Sequence, residues 1–346
     1  MSMREAIAKV AGGDALTMEE AATVMEEIAR GSATPAQIGA FAVAMRMKGE
    51  TPAEVAGLAK VMRRWALPVQ VAGEVIDTCG TGGDGLSTFN ISTVAAFVAC
   101  GAGAKVAKHG NRAYTSSCGS ADLLEALGVA IDLGPNQVAR CVDEVGIGFM
   151  FAPLFHPAMK NAAGPRKEIG LRTVFNILGP LTNPAGASRQ LLGVASAPLA
   201  PLMGEVLGLL GCRRAMVVHG DDGLDEISLS GPTHVWEVSD GSFRCYDLCP
   251  EALGFRRHPL DALRGGSAQE NAAIAVSILE GEAGPRRDAV LINAAAALYT
   301  AGRASTIEEG IGLARASIDS GAAMAKLQRL RDLSQQLRGR GEAHVS

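Results

Sequence analysis

The sequence has no surplus of positive charge, no C-x-x-C pair, few aromatic residues and no apolar run long enough to cross a bilayer. Its formal net charge is −4, which excludes a general basic surface for nucleic acid or anionic membrane. Any polyanion must therefore be held by local cations. The seven cysteines (Cys79, Cys100, Cys118, Cys141, Cys212, Cys245, Cys249) are odd in number and scattered, so no disulfide framework is expected and a reducing, cytoplasmic setting fits. Cys245 and Cys249 have no second Cys or His pair at ligand spacing, which argues against zinc. Cys79 has no neighbour that would make a thiolate and reads as a small packing residue. The N-terminal "MSMREAIAKV" carries charges where a signal peptide needs apolar residues. The uncharged span 85–104 is interrupted by Ser87, Thr88, Asn90, Ser92 and Thr93, so no membrane segment is expected. No internal repeat or low-complexity linker is present.

What the chain does have is 48% hydrophobic residues and 42 glycines against 15 prolines in 346 positions, the composition of a globular protein with many tight turns. The length suggests about two domains. The first 66 residues read as short helices. "TMEE" from Thr17, "TPAQ" from Thr34 and "TPAE" from Thr51 are capping boxes, the last two with Pro at the first helical position. Gly31 and Gly49 stand where helices should end. Helices are predicted at about 3–11, 18–30, 35–48 and 52–65. From Val75, short β-type runs alternate with helices ("EVID", "AKVAK", "GIGFMF", "QLLGVA", "AMVVHG"), the pattern of an α/β domain with a mainly parallel sheet. "HVWEVSDGSFRCY" reads as a hairpin turning at Asp240-Gly241. Beyond Ala268 the pattern is helical again, suited to covering sheet faces. The change of period places a domain boundary near residue 68.

Three loops carry chemistry. "DTCGTGGDGLSTFNIST" (77–93) follows a strand and precedes a helix beginning near Ser92. Such a turn lets backbone N–H groups and the positive end of a helix dipole meet a phosphate or pyrophosphate, although its spacing matches neither a Walker A loop nor G-x-G-x-x-G. A purely structural glycine turn is the competing reading. "KVAKHGNRAYTSSCGSAD" repeats the strand-then-loop form and gathers Lys108, His109, Arg112, Asn111, Ser116 and Ser120; the competing reading makes Lys108 and Arg112 solvated surface charges. "AMVVHGDDGLDEISLSG" places Asp225 and Glu226 after a buried strand. Paired carboxylates beside a diphosphate suit Mg²⁺, whereas Asp221 and Asp222 suit a turn. In "FAPLFHPAMKNAAGPRKEIGLRTVFNILGPLTNPAG", Arg166 is a bidentate partner for a substrate carboxylate. In the competing reading Lys167, Glu168 and Arg172 only pair with each other on a helix, and His156 and Met159 only pack.

The motifs "DTCGTGGDG", "FNIST", "KHGNR", "GSADLLEALGV", "FAPLFHPAMK", "RTVFNILGPLTNPA", "VVHGDDGLDEIS" and "GPRRDAVLINAAAALY" resemble, in order and spacing, the anthranilate phosphoribosyltransferase family of tryptophan biosynthesis. The resemblance runs to about residue 330. It implies a nucleoside phosphorylase/phosphoribosyltransferase-like α/β fold, with a helical domain at 1–68 completed by a discontinuous part near 165–190 and a phosphoribosyl-diphosphate-binding domain at 69–346. It also implies a homodimer joined through the helical domain, and transfer of the 5-phosphoribosyl group from 5-phosphoribosyl 1-diphosphate to anthranilate with Mg²⁺. By resemblance, Gly80, Gly83, Asp84, Thr88, Asn90, Ile91, Ser92, Thr93, Lys108, Ser116 and Ser120 hold the sugar diphosphate. Gly80, His109, Asn111 and Arg166 meet anthranilate, and Ser92, Asp225 and Glu226 hold the metal. Lys108 stabilises the leaving group, and no covalent nucleophile is implied. The chain departs from the family where Ser117 replaces a frequent lysine and Cys118 a serine. Two rivals differ in chemistry: a pyrimidine nucleoside phosphorylase-like enzyme, which needs no Asp-Glu magnesium pair, and a non-catalytic nucleotide-sensing relative.

Overall fold

The computed structural model describes residues 1–113 and 117–342, with Tyr114, Thr115 and Ser116 of the second loop outside that range. Four helices open the chain: α1 (Met3–Ala11), α2 (Met18–Ala29), α3 (Pro35–Lys48) and α4 (Pro52–Trp65). Each starts at a hydroxyl cap with a reciprocal Glu or Gln: Ser2/Glu5, Thr17/Glu20, Thr34/Gln37 and Thr51/Glu54. The box at Ser2 joins the three read from the sequence. Glu54 does more than cap, because it is fully buried and also accepts from Leu16 N (2.9 Å) and Lys48 Nζ (2.9 Å), tying α4 to its neighbours. Gly49 ends α3 with φ +88°, in the region only glycine enters without strain.

The strands are β1 (Ile76–Gly80), β2 (Val106–Gly110), β3 (Ile147–Phe151), β4 (Arg189–Gly193), β5 (Arg214–Gly220), β6 (Thr233–Ser239) and β7 (Ser242–Leu248). They form one sheet in the order β3-β2-β1-β4-β5-β6-β7. β3, β2, β1, β4 and β5 are parallel; β6 and β7 are antiparallel additions. The hairpin turns at Asp240 and Gly241, both with positive φ (45° and 81°), as a two-residue type I′ turn requires.

Alternation along β5 divides the interior in two. Met216 and Val218 join the core formed with α5 (Ile91–Gly101) and the helix Pro285–Thr300. Ala215 and Val217 face the other way, into a core containing α1–α4, the helix Leu199–Leu209 and the crossover residues Ala162, Val174, Phe175 and Leu181. The crossover between β3 and β4 thus packs with the N-terminal helices above one face of the sheet. Among the described residues no helix is long and apolar enough to cross a membrane.

Candidate active site

The sheet order turns back at β1, which lies between β2 and β4. At such a switch point the loops leaving the carboxyl ends of the strands diverge and open a crevice. Here the crevice is a cavity of about 620 Å³. Its lining includes Gly80, Gly83, Asp84, Thr88, Asn90, Ile91, Ser92 and Thr93 after β1, then Lys108, His109, Asn111 and Ser120 after β2. Asp225 and Glu226 enter after β5, and Arg166 from the crossover helix Lys160–Ile169. Ser116 lies outside the described residues. The structure brings every other sequence-selected residue to one space.

Close approach explains the glycines. A Cβ at Gly80 would stand 2.6 Å from Asp225 Oδ2, and one at Gly193, at the end of β4, would overlap the Asp225 carbonyl. The acid loop therefore lies directly on the ends of β1 and β4. Gly82 N donates to Asp225 Oδ2 (2.9 Å) and Ser92 N to Glu226 Oε1 (3.0 Å). This corrects a simple view of the α5 N-terminus as an open anion site. Ser92 N is engaged by Glu226, while Ile91 N and Thr93 N bond to Phe89 O and Asn90 O. Ile91 and Thr93 border the cavity although each is only 1% exposed.

The electrostatics of the acids follow from this crowding. Burial, then the charge of Asp84, pushes the Asp225 carboxyl well above the ordinary carboxylate range. Burial, then Asp225, does the same to Glu226, against the pull of Lys108 and of the Ser92 backbone and hydroxyl. Hard oxygen donors that repel one another in this way fit a divalent cation. Among the described residues no group of three or more His, Cys, Asp or Glu side chains could hold a metal by itself.

Lys108 is 3% exposed and its ammonium donates to Thr78 O, so it is an interior cation and not a solvated one. Arg112 is an exposed ion-pair partner, bonded to Asp122 (2.9 Å) and Glu125 (2.8 Å). Beneath them Asp77, fully buried, accepts from His109 N (3.2 Å) and Asn183 Nδ2 (2.8 Å) and so binds the first two loops and the crossover together. Burial raises its carboxyl to about 6, against the pull of Lys108.

His109 and His156 stand Nε2 to Nε2 at 3.1 Å. Burial, then His156, lowers His109 to about 3, and burial lowers His156 to about 4. Both rings are neutral near pH 7, with one donating to the other. His156 Nδ1 is buried and has no hydrogen-bond partner among the described residues. The Cys79 thiol is raised well above its ordinary value by burial and contacts Gln190 Nε2 at 3.0 Å, so it is no thiolate.

Two models described as "Glycosyl transferase family" match the chain, the helical bundle domain over residues 4–66 and the a/b domain over residues 72–324. The chain is 57% identical over 327 residues to the anthranilate phosphoribosyltransferase of Moorella thermoacetica, covering 94% of this chain and 96% of that protein. It is 58% identical over 345 residues to that of Chloroflexus aggregans, covering 99% and 100%. The chain belongs to the anthranilate phosphoribosyltransferase family. Among solved structures it matches the family member from Thermus thermophilus with a TM-score of 0.91 at 46% identity, covering 95% of this chain and 99% of that one. The Saccharomyces cerevisiae member, solved in complex with PRPP and Mg, matches with a TM-score of 0.89 at 30% identity, covering 96% and 98%. The pyrimidine phosphorylase reading is not favoured by these relatives.

Sequence reasoning undervalued three residues of this family member. His156 pairs with His109 as described, beyond mere packing. Arg172 does not sit in a helix-surface charge group. It leaves the crossover and donates from Nη2 to Thr81 O (2.9 Å) and Gly82 O (2.7 Å). Asn293, fully buried in the helix Pro285–Thr300, bonds both backbone groups of Ile227, next to the acid pair. No spacing signal pointed to the last two, since their partners lie 66 or more positions away.

Proposed function

We propose that the cavity transfers the 5-phosphoribosyl group from 5-phosphoribosyl 1-diphosphate to the amine of anthranilate, releasing pyrophosphate, as the family's name describes. The observation that carries this is the meeting of the glycine loop, Lys108, the acid pair and Arg166 in one cavity of a single chain. In this reading Gly80, Gly83, Asp84, Thr88, Ser120 and the backbone of residues 90–93 border the sugar diphosphate. Arg166, Asn111 and His109 orient anthranilate, Arg166 through its carboxylate. Asp225, Glu226 and Ser92 would hold Mg²⁺, which supplies charge neutralisation at the diphosphate.

The chain's own residues do the rest by position and charge. Lys108, held in a low-dielectric interior, places a positive charge where negative charge grows on the departing pyrophosphate. The aromatic amine is a weak base whose proton becomes acidic only as its bond to the ribose carbon forms, so no strong general base is needed. Neutral His109 and His156 fit that requirement. The displacement is dissociative, with no covalent enzyme intermediate. On the same reading residues 1–68 and 165–190 act as one helical unit through which a cytoplasmic homodimer forms, and 69–346 carries the diphosphate site.

The test is to mix the purified chain with phosphoribosyl diphosphate and Mg²⁺ and follow pyrophosphate with and without anthranilate. Release that requires anthranilate is expected. Binding of the donor with no release would instead favour the sensing relative.

A further inference from the structure

We propose that Arg172 is a positioning residue that sets the peptide planes of the glycine loop, and through them the loop's grip on the phosphoribosyl donor. Its Nη2 takes both Thr81 O (2.9 Å) and Gly82 O (2.7 Å). A peptide is planar, with its N–H opposite its C=O. Holding those two carbonyls on the arginine side therefore turns the N–H groups of Gly82 and Gly83 away from it, and the Gly82 N–H meets Asp225 Oδ2 at 2.9 Å. Gly83 has φ +84°, and a Cβ there would land on the guanidinium. Glycine is thus required at 83 twice, by the backbone and by the space the arginine fills. From the other side, Arg46 of α3 donates to the Arg172 carbonyl, so the anchor is itself held by the N-terminal helices. The inference rests on reading the glycine loop as the diphosphate cradle.

The test compares Arg172→Ala, Arg172→Lys, Gly83→Ala and the double variant R172A/G83A in steady-state kinetics, with melting temperatures recorded for each. Arg172→Ala should raise the KM for phosphoribosyl diphosphate by about tenfold or more while leaving the anthranilate KM within about twofold. Gly83→Ala, which displaces the guanidinium without removing its charge, should act in the same direction and carries the test if Arg172→Ala does not fold. The double variant should be no worse than the poorer single one, since both break one interaction. Arg172→Lys keeps the charge without the planar fork. Restoration of the parent's donor KM by lysine would show that charge alone acts and would overturn the proposal. An anthranilate KM raised as far as the donor KM, or additive losses in the double variant, would overturn it too. Failure of the underlying reading would show separately, as a parent chain that releases no pyrophosphate when anthranilate is supplied.

Discussion

At the scale of single residues, the cavity sorts its charges by what each must meet. Arg166 borders the cavity from the crossover. Arg166→Ala is expected to raise the anthranilate KM far more than the donor KM, and equal effects in initial-rate kinetics would count against its role. Replacing Asp225 and Glu226 together by Asn and Gln should remove the response of the rate to Mg²⁺; an unchanged metal titration would take them out of the metal site. The histidine pair makes a prediction about stability. Both rings are held neutral, with pKa values lowered to about 3 and about 4, whereas an unfolded histidine titrates near 6.5. Below that value the unfolded chain binds more protons, so the pair's contribution is complete above pH 6.5 and is lost as pH falls toward 4 and below. Each histidine adds a slope of up to about 1.4 kcal/mol per pH unit. Asp77, raised from 3.8 to about 6, acts in the opposite sense between those values, so the informative comparison is between variant and parent. His156→Gln keeps a polar group that can pair with His109 and removes one titrating ring. Its urea midpoint should fall less between pH 7 and pH 5 than the parent's, and identical falls would refute the buried neutral pair.

At the scale of elements, the acid loop shows how a segment without sheet partners is kept rigid. At one end Asp222 accepts from Leu224 N (3.1 Å), Ser228 Oγ (2.5 Å) and the Ser230 hydroxyl. At the other, Asn293 mimics a neighbouring strand: its Oδ1 accepts from Ile227 N (2.9 Å) and its Nδ2 donates to Ile227 O (3.0 Å). Asn293→Ala would leave two buried backbone groups unpaired, at a cost of about 2 kcal/mol or more. It is also expected to raise the Mg²⁺ concentration needed for half-maximal rate; chemical denaturation and a metal titration check the two parts. This contrast shows what was legible in the sequence. Capping boxes and the Asp240-Gly241 turn are local codes, satisfied within four residues, and the helices and hairpin they predict are the ones observed. Lys108, Asp225 and Glu226 could be selected because each stands at or soon after the end of a strand of recognisable pattern, and parallel strands deliver their carboxyl ends to one edge. Arg172 and Asn293 could not, because each acts on the backbone of a distant loop, and a backbone partner leaves no mark in composition or spacing. The Glu226 cap on Ser92 N was hidden for the same reason. It joins residues 134 positions apart, and made α5 look like an open anion site when read alone.

At the scale of the whole molecule, the described candidate residues border one cavity of a single chain, while the helical layer beside it exposes apolar side chains. Met47 on α3 is 83% exposed and Leu171, at the end of the crossover helix that packs on α3, is 52% exposed. In the proposed homodimer these two side chains would lie at the interface between copies. The proposed homodimer through this layer should appear in light scattering as twice the 35.6 kDa of the chain. Met47→Glu would place a charge in such an interface without touching either core, and should shift the population toward monomer at micromolar concentration. A dimer unmoved by the substitution would put the interface elsewhere. Because the described candidate residues all border one cavity of a single chain, the monomer should still release pyrophosphate when anthranilate is present. Loss of turnover together with dissociation would mean that the partner copy steadies the helical layer, and with it Arg46, Arg172 and the glycine loop.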